Sequence, residues 1–161
     1  MNNNIDLKIE INDKKLNKLI KNLKEPYKVR VGVLNGGEFM DKNSNITVAG
    51  YGLVNEFGSI TRNIPARSFI RMPLNQELPK AILKNKTFIA NILKKQENLL
   101  KLYVNLGITA KSIVLNAFYT SGFGNWQPNK PSTIRRKGSS KPLIDTGRLR
   151  QSINYNIVKE Q

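Results

Sequence analysis

From Leu78 to Ala117 apolar side chains return at steps of three and four: Leu78, Ile82, Ile89, Ile92, Leu93, Leu99, Leu100, Tyr103, Leu106, Ala110, Ile113, Val114 and Ala117. This spacing keeps one stripe of a 3.6-residue helix apolar over the whole stretch. At 1.5 Å per residue, one continuous helix of that length would outrun the roughly 30 Å diameter of a small domain. It must therefore bend, with Gly107 the expected place, or project toward a partner. Everything else in the chain has to be arranged around it.

The flanking segments read as strands. Ile5, Leu7, Ile9 and Ile11 alternate with Asp6, Lys8, Glu10 and Asn12, the period of two that buries one face of a strand. Asp13 can cap a short amphipathic helix through Leu16, Leu19, Ile20 and Leu23 that ends at Pro26. Tyr27, Val29, Val31 and Val33 repeat the strand pattern, and Gly36-Gly37 with Asp41, Asn43, Ser44 and Asn45 predicts a flexible loop or hairpin turn over 36–46. A short helix is expected over Val48 to Glu56, stopped by Gly58. Pro65 then fixes an extended approach to Phe69, Ile70 and Met72. Residues 121–142, rich in Gly and Pro, predict a long loop with one helical turn near Ser132 to Arg136. Asp145 and Thr146 can cap a turn through Leu149, and Ile153, Tyr155 and Ile157 alternate as a terminal strand. The expected architecture is one α+β domain over 1–161. A small antiparallel sheet of three to four strands packs on one long, kinked helix with short helices beside it, and both chain ends share the sheet.

Composition narrows the chemistry. The chain has no cysteine and no histidine, so disulfides, thiolate metal sites, and Ser-His-Asp or Cys-His catalysis are excluded within it. No stretch approaches the ~20 apolar residues that span a bilayer, and the beginning of the chain lacks a leader pattern, so a soluble, cytoplasm-made protein without membrane contact is expected. Acids are too dispersed for a two-metal site, and neither metal nor cofactor is expected. Lys and Arg outnumber Asp and Glu 27 to 11, a net charge of +16. Arg135, Arg136, Lys137, Lys141, Arg148 and Arg150 form the densest basic cluster, offset only by Asp145. Such a patch meets phosphates or an acidic protein surface equally well, so a basic nucleic-acid-binding protein without enzymatic activity is the alternative reading.

Three short motifs have a chemical reading and a plainer one. Asp145-Thr146-Gly147 matches three residues of the aspartic protease signature, but Arg148 and Arg150 follow, where that dyad needs a neutral floor. Asp145 as a cap or turn residue is the plainer account, and a small hydrolase using Asp145 the remote one. Gly50, Gly52 and Asn55 spell half of a dinucleotide fingerprint that lacks its third glycine. Glu56 stands alone between Asp41 and Glu77, which suits an ion pair with Arg62, Arg67, Arg71 or a neighbouring subunit better than paired-carboxylate catalysis. Trp126, between Gly124 and Pro128, is either a lid over the core or an anchor for a partner.

Taken in order, Asn55-Glu-Phe-Gly58, Ile64-Pro-Ala-Arg67 with Phe69-Ile-Arg71, Trp126-Gln-Pro128 before Thr133 and Lys137, and Leu143-Ile-Asp-Thr-Gly147 with Leu149 and Ser152-Ile153 cover about the second two-thirds of the chain. In these motifs the chain resembles the tail-completion or virion morphogenesis proteins of tailed bacteriophages and their prophage relatives, a neck or head-tail connector family. Ser68 departs from the proline often found there. The resemblance implies a non-enzymatic structural protein of the virion neck or tail, assembled in the host cytoplasm as a homo-oligomeric ring. Its implied partners are a connector or adaptor, a tail terminator or the tail tube, with non-specific contact to packaged DNA. On that reading Glu56, Arg67, Arg71, Trp126, Arg135, Arg136 and Arg148 are candidates for the subunit or partner interface, Arg67 and Arg71 as inter-subunit ion pairs. Asn55, Phe57, Gly58, Pro65, Phe69, Asp145, Thr146 and Gly147 are structural: Phe57, Pro65 and Phe69 hold the loop against the long helix, and Asp145 to Leu149 fix the return to the last strand.

Overall fold

A computed structural model describes residues 27–34, 36–40, 45–95 and 99–159. The strand expected over Ile5–Ile11 and the helix through Leu23 lie outside them. The elements in chain order are β1 (Tyr27–Val33), α1 (Val48–Phe57), α2 (Arg71–Lys84), α3 (Lys86–Lys95), α4 (Leu100–Tyr119), α5 (Pro131–Lys137), α6 (Arg148–Gln151) and β2 (Ile153–Lys159). The class is α+β, as expected. Among the described residues the sheet has two antiparallel strands, not three or four, with register running from Tyr27 opposite Lys159 to Val33 opposite Ile153.

The long periodic stretch is divided into three helices. Asn85 separates the first two, the third begins at Leu100, and Gly107 lies inside that third helix, which is unbroken from Leu100 to Tyr119. Asn85 closes α2 through its own amide N–H, and its side-chain amide donates to the Ala81 carbonyl at 3.1 Å. Its competition for backbone groups is the reason an asparagine interrupts a pattern that hydrophobic spacing leaves unbroken. Gly107 lies buried in the middle of α4, where a Cβ would come within 2.2 Å of the Tyr155 ring. The glycine lets β2 approach the helix closely, a packing role.

Both strands and α2 pack on α4. The core joins Val114, Ala117 and Phe118 of α4 to Phe69, Leu149, Ile153 and Trp126. Phe118 tilts against Phe69 at 5.4 Å and meets the Trp126 ring edge-on at 5.9 Å. Such aromatic pairs contribute about 0.5–1.5 kcal/mol each beyond burial. Toward its end α2 exposes Ile82 and Leu83, and Phe88 of α3 is exposed as well.

The segment expected to be a flexible loop over 36–46 is tied down where it is described. Phe39 bridges Thr47, the Met40 amide donates to the Ile46 carbonyl at 3.0 Å, and the Val48 and Ala49 amides donate to the Glu38 and Gly36 carbonyls. The hairpin alternative is the one the hydrogen bonds describe. From the far end of the chain, the Arg148 guanidinium donates to the Phe39 carbonyl at 2.8 Å.

Candidate partner-binding groove

The motifs taken in order from the sequence become one hydrogen-bonded unit in space. Thr47 caps α1, its hydroxyl accepting from the Gly50 amide at 3.1 Å, and Gly58 ends it at φ 78°. A side chain there would meet the Ala66 amide nitrogen at 2.8 Å. Glycine therefore lets the chain double back through a tight hairpin, in which the Ser59 and Ile64 amides exchange 2.9 Å hydrogen bonds with each other's carbonyls. The hairpin tip carries Ile60, fully exposed at 100%. Past Pro65 the chain is fastened to the end of α1 by the Arg67 amide donating to the Asn55 carbonyl at 2.7 Å.

Glu56 is the hub beneath. Its buried carboxylate accepts from the Ser68 hydroxyl at 2.6 Å and from the amides of Phe69, Ile70 and Arg71 at 2.7, 3.0 and 3.1 Å. Ser68 in turn accepts from the Met72 amide at 2.9 Å. The first turn of α2 thus has a carboxylate supplied by another helix and a serine supplied by its own lead-in. Orphan N–H groups and the positive end of the helix dipole are both satisfied. The Ser68 carbonyl accepts from the Trp126 indole at 3.0 Å, which fixes the following loop.

Five of the expected interface residues have intrachain contacts: Glu56, Arg67, Arg71 and Trp126, and Arg148 through the Phe39 carbonyl. Arg67 is buried, its guanidinium donating to the Gln127 carbonyl at 2.9 Å and the Pro128 carbonyl at 3.1 Å. Burial pulls its pKa below the ordinary arginine value. Trp126 is buried against Phe118, so the lid account describes it and the surface-anchor account is corrected. Glu56 pairs with Arg71 across 3.6 Å within the chain. Arg71 itself is exposed and lies 4.6 Å over the Phe57 ring. Phe57 is also exposed, which corrects its expected role of pinning the loop to the long helix. Phe69 has that role, deep in the core beside Phe118.

Above this unit lies a groove of about 1200 Å³ between the 59–64 hairpin and the loop that leads into α5. It brings together Asn55, Phe57, Gly58, Pro65, Arg67, Arg136 and Asp145 of the residues singled out in the sequence. Arg135, Arg148, Thr146 and Gly147 lie outside its lining. Asp145 caps nothing. The residue preceding α6 is Gly147 at φ 81°, and the nearest side-chain contact is the Arg148 amide to the Thr146 hydroxyl at 3.5 Å. Among the described residues five cations line the groove, namely Arg62, Arg67, Lys130, Arg136 and Lys137, against one carboxylate, Asp145. Burial lowers the Lys137 pKa; Asp145 opposes the shift, while Arg67 and Arg136 add to it. Lys130 escaped the sequence reading, and Arg62 entered it only as an ion-pair candidate for Glu56, because neither belongs to a basic run; only the hairpin and the lead-in to α5 bring them to the same groove.

No protein-family model, curated protein or solved structure matches the chain. Among the described residues no helix is long and apolar enough to cross a membrane, and no three Asp or Glu side chains group as a metal site would require.

Proposed function

We propose that the chain is a structural, non-enzymatic protein of the tailed-phage neck or tail, one subunit of a homo-oligomeric ring that completes the tail or joins it to the head connector. The observation that carries the reading is the interlocking of the motifs on which the family resemblance rests. Asn55 and Glu56 hold Arg67, Ser68 and the α2 start, while Arg67 and the Ser68 carbonyl hold Gln127, Pro128 and Trp126. Residues so far apart in sequence build a single hydrogen-bonded platform. Exposed apolar residues support association: Ile60 at the hairpin tip, Leu83 on α2 and Phe88 on α3 offer surface that a neighbour can cover. A ring uses two different faces of each subunit, because its contacts are head-to-tail.

The test is the mass of the purified protein in solution, alone and mixed with the head and tail proteins beside it, over a salt series. A ring, or a monomer that joins one when those proteins are added, is expected. A monomer that ignores them and binds duplex DNA with steep salt dependence would replace this reading with the nucleic-acid alternative.

A further inference from the structure

We propose that the groove between the 59–64 hairpin and α5 receives an extended acidic segment of a partner protein, one in which carboxylates alternate with apolar side chains. The inference goes beyond ring membership and does not require it.

The charge of the groove favours an anionic occupant. Arg62, Lys130 and Arg136 line the groove with exposed side chains, and none has a hydrogen-bonded or ion-paired side-chain partner among the described residues. Arg62 belongs to the hairpin and Lys130 and Arg136 to α5 and its lead-in, so cations come from both walls. Among the described residues Asp145 is the only lining carboxylate, and the nearby Glu56 is engaged by the α2 start and Arg71. A groove arranged this way attracts an anionic partner and favours its approach from a distance.

Between the cations the lining is partly apolar. Val54, Phe57, Ile64 and Pro65 contribute apolar surface, and Phe57 is 57% exposed. A duplex offers phosphates and leaves such surface unused. A polypeptide with alternating character presents carboxylates to the walls and apolar side chains to the floor, since successive residues of an extended chain point in opposite directions. At about 1200 Å³ the groove also exceeds the ~300–1,000 Å³ of small-molecule sites, which suits a run of residues.

The experiment is fluorescence anisotropy with a labelled peptide alternating Asp or Glu with Leu, set against a poly-Glu peptide of equal length and a short DNA duplex. The alternating peptide is expected to bind best. Reversing Lys130→Glu together with Arg136→Glu should weaken it about tenfold or more, about 1.4 kcal/mol per factor of ten. Phe57→Ser should weaken it several-fold, and Lys84→Glu with Lys86→Glu, equal in charge change but outside the groove, should leave it unaltered. All these side chains are exposed, and a matching thermal melt establishes that each variant is folded. Three results overturn the proposal. They are poly-Glu binding as tightly as the alternating peptide, the duplex binding more tightly with the same dependence on Lys130 and Arg136, and peptide binding that is absent or indifferent to the groove substitutions.

Discussion

Replacing Glu56 with alanine tests whether a carboxylate borrowed from one helix holds the start of another. The substitution removes the acceptor for four donors: the Ser68 hydroxyl and the amides of Phe69, Ile70 and Arg71. The Phe69 amide is buried and has no route to water, so its orphaning costs about 1–3 kcal/mol. The other donors are partly accessible and can recruit solvent, which limits them to about 0.5–1 kcal/mol each. The lost cap and dipole charge are part of the same effect, about 1 kcal/mol when measured alone. Relief of the desolvated charge offsets some of this. The expected net loss is about 3–5 kcal/mol, or roughly 6–20 °C in melting temperature for a chain of this length. Urea denaturation followed by circular dichroism should show a lower midpoint at unchanged slope. Glu56→Gln keeps one acceptor oxygen but turns an amide NH2 toward donors, so it should fall between alanine and wild type. Arg71→Ala should cost no more than about 1 kcal/mol, because that guanidinium is 62% exposed and its pair with Glu56 is screened. A Glu56→Ala loss below about 1 kcal/mol, or an Arg71→Ala loss equal to it, would refute the capping account.

Three further outcomes follow from the same structure. Burial holds the Tyr51 hydroxyl above its ordinary 10.0, so the folded state keeps a proton that the unfolded chain releases. Stability should therefore fall as pH rises past 10.0, and a urea titration of Tyr51→Phe across that range should lose this slope. Gly107→Ala drives a Cβ to 2.2 Å from the Tyr155 ring and should cost about 1–3 kcal/mol in a thermal melt, with Tyr155→Val restoring most of it. Arg67→Leu strands the Gln127 and Pro128 carbonyls and should lower stability by about 2–3 kcal/mol in denaturant titration, whereas Arg71→Gln, which removes an exposed charge without setting a second carboxylate beside Glu56, leaves the fold intact. Arg71→Gln is accordingly the cleaner probe of an inter-subunit ion pair, read as a change in oligomer size.

What the sequence disclosed follows from what local patterns encode. Period-two alternation in Tyr27–Val33 and Ile153–Lys159 marks strands with one packed face, and both are strands. The helix near Val48 and its glycine stop were legible because capping chemistry is local. Hydrophobic spacing does not register a single polar interruption, so the break at Asn85 stayed hidden within the long periodic stretch. The site was legible as a set of motifs and illegible as an arrangement. Nothing in the sequence tells that Arg67 directs its guanidinium to backbone carbonyls of a loop sixty residues away, or that Glu56 accepts from three backbone amides besides pairing with Arg71. Long, flexible cations reveal their partners only when the backbone has brought the acceptors to them.

The two described strands also set the order in which the molecule can be built. Their register pairs residues 120 to 132 positions apart, Val33 with Ile153 and Tyr27 with Lys159. Closing so wide a loop is entropically costly unless the intervening helices have already drawn the ends together. The ribbon is thus expected to close late, as a clasp over a hub organised by Glu56 and Phe118. Stopped-flow measurements on Val31→Ala should then show faster unfolding at nearly unchanged refolding, and a comparable slowing of refolding would put the clasp first.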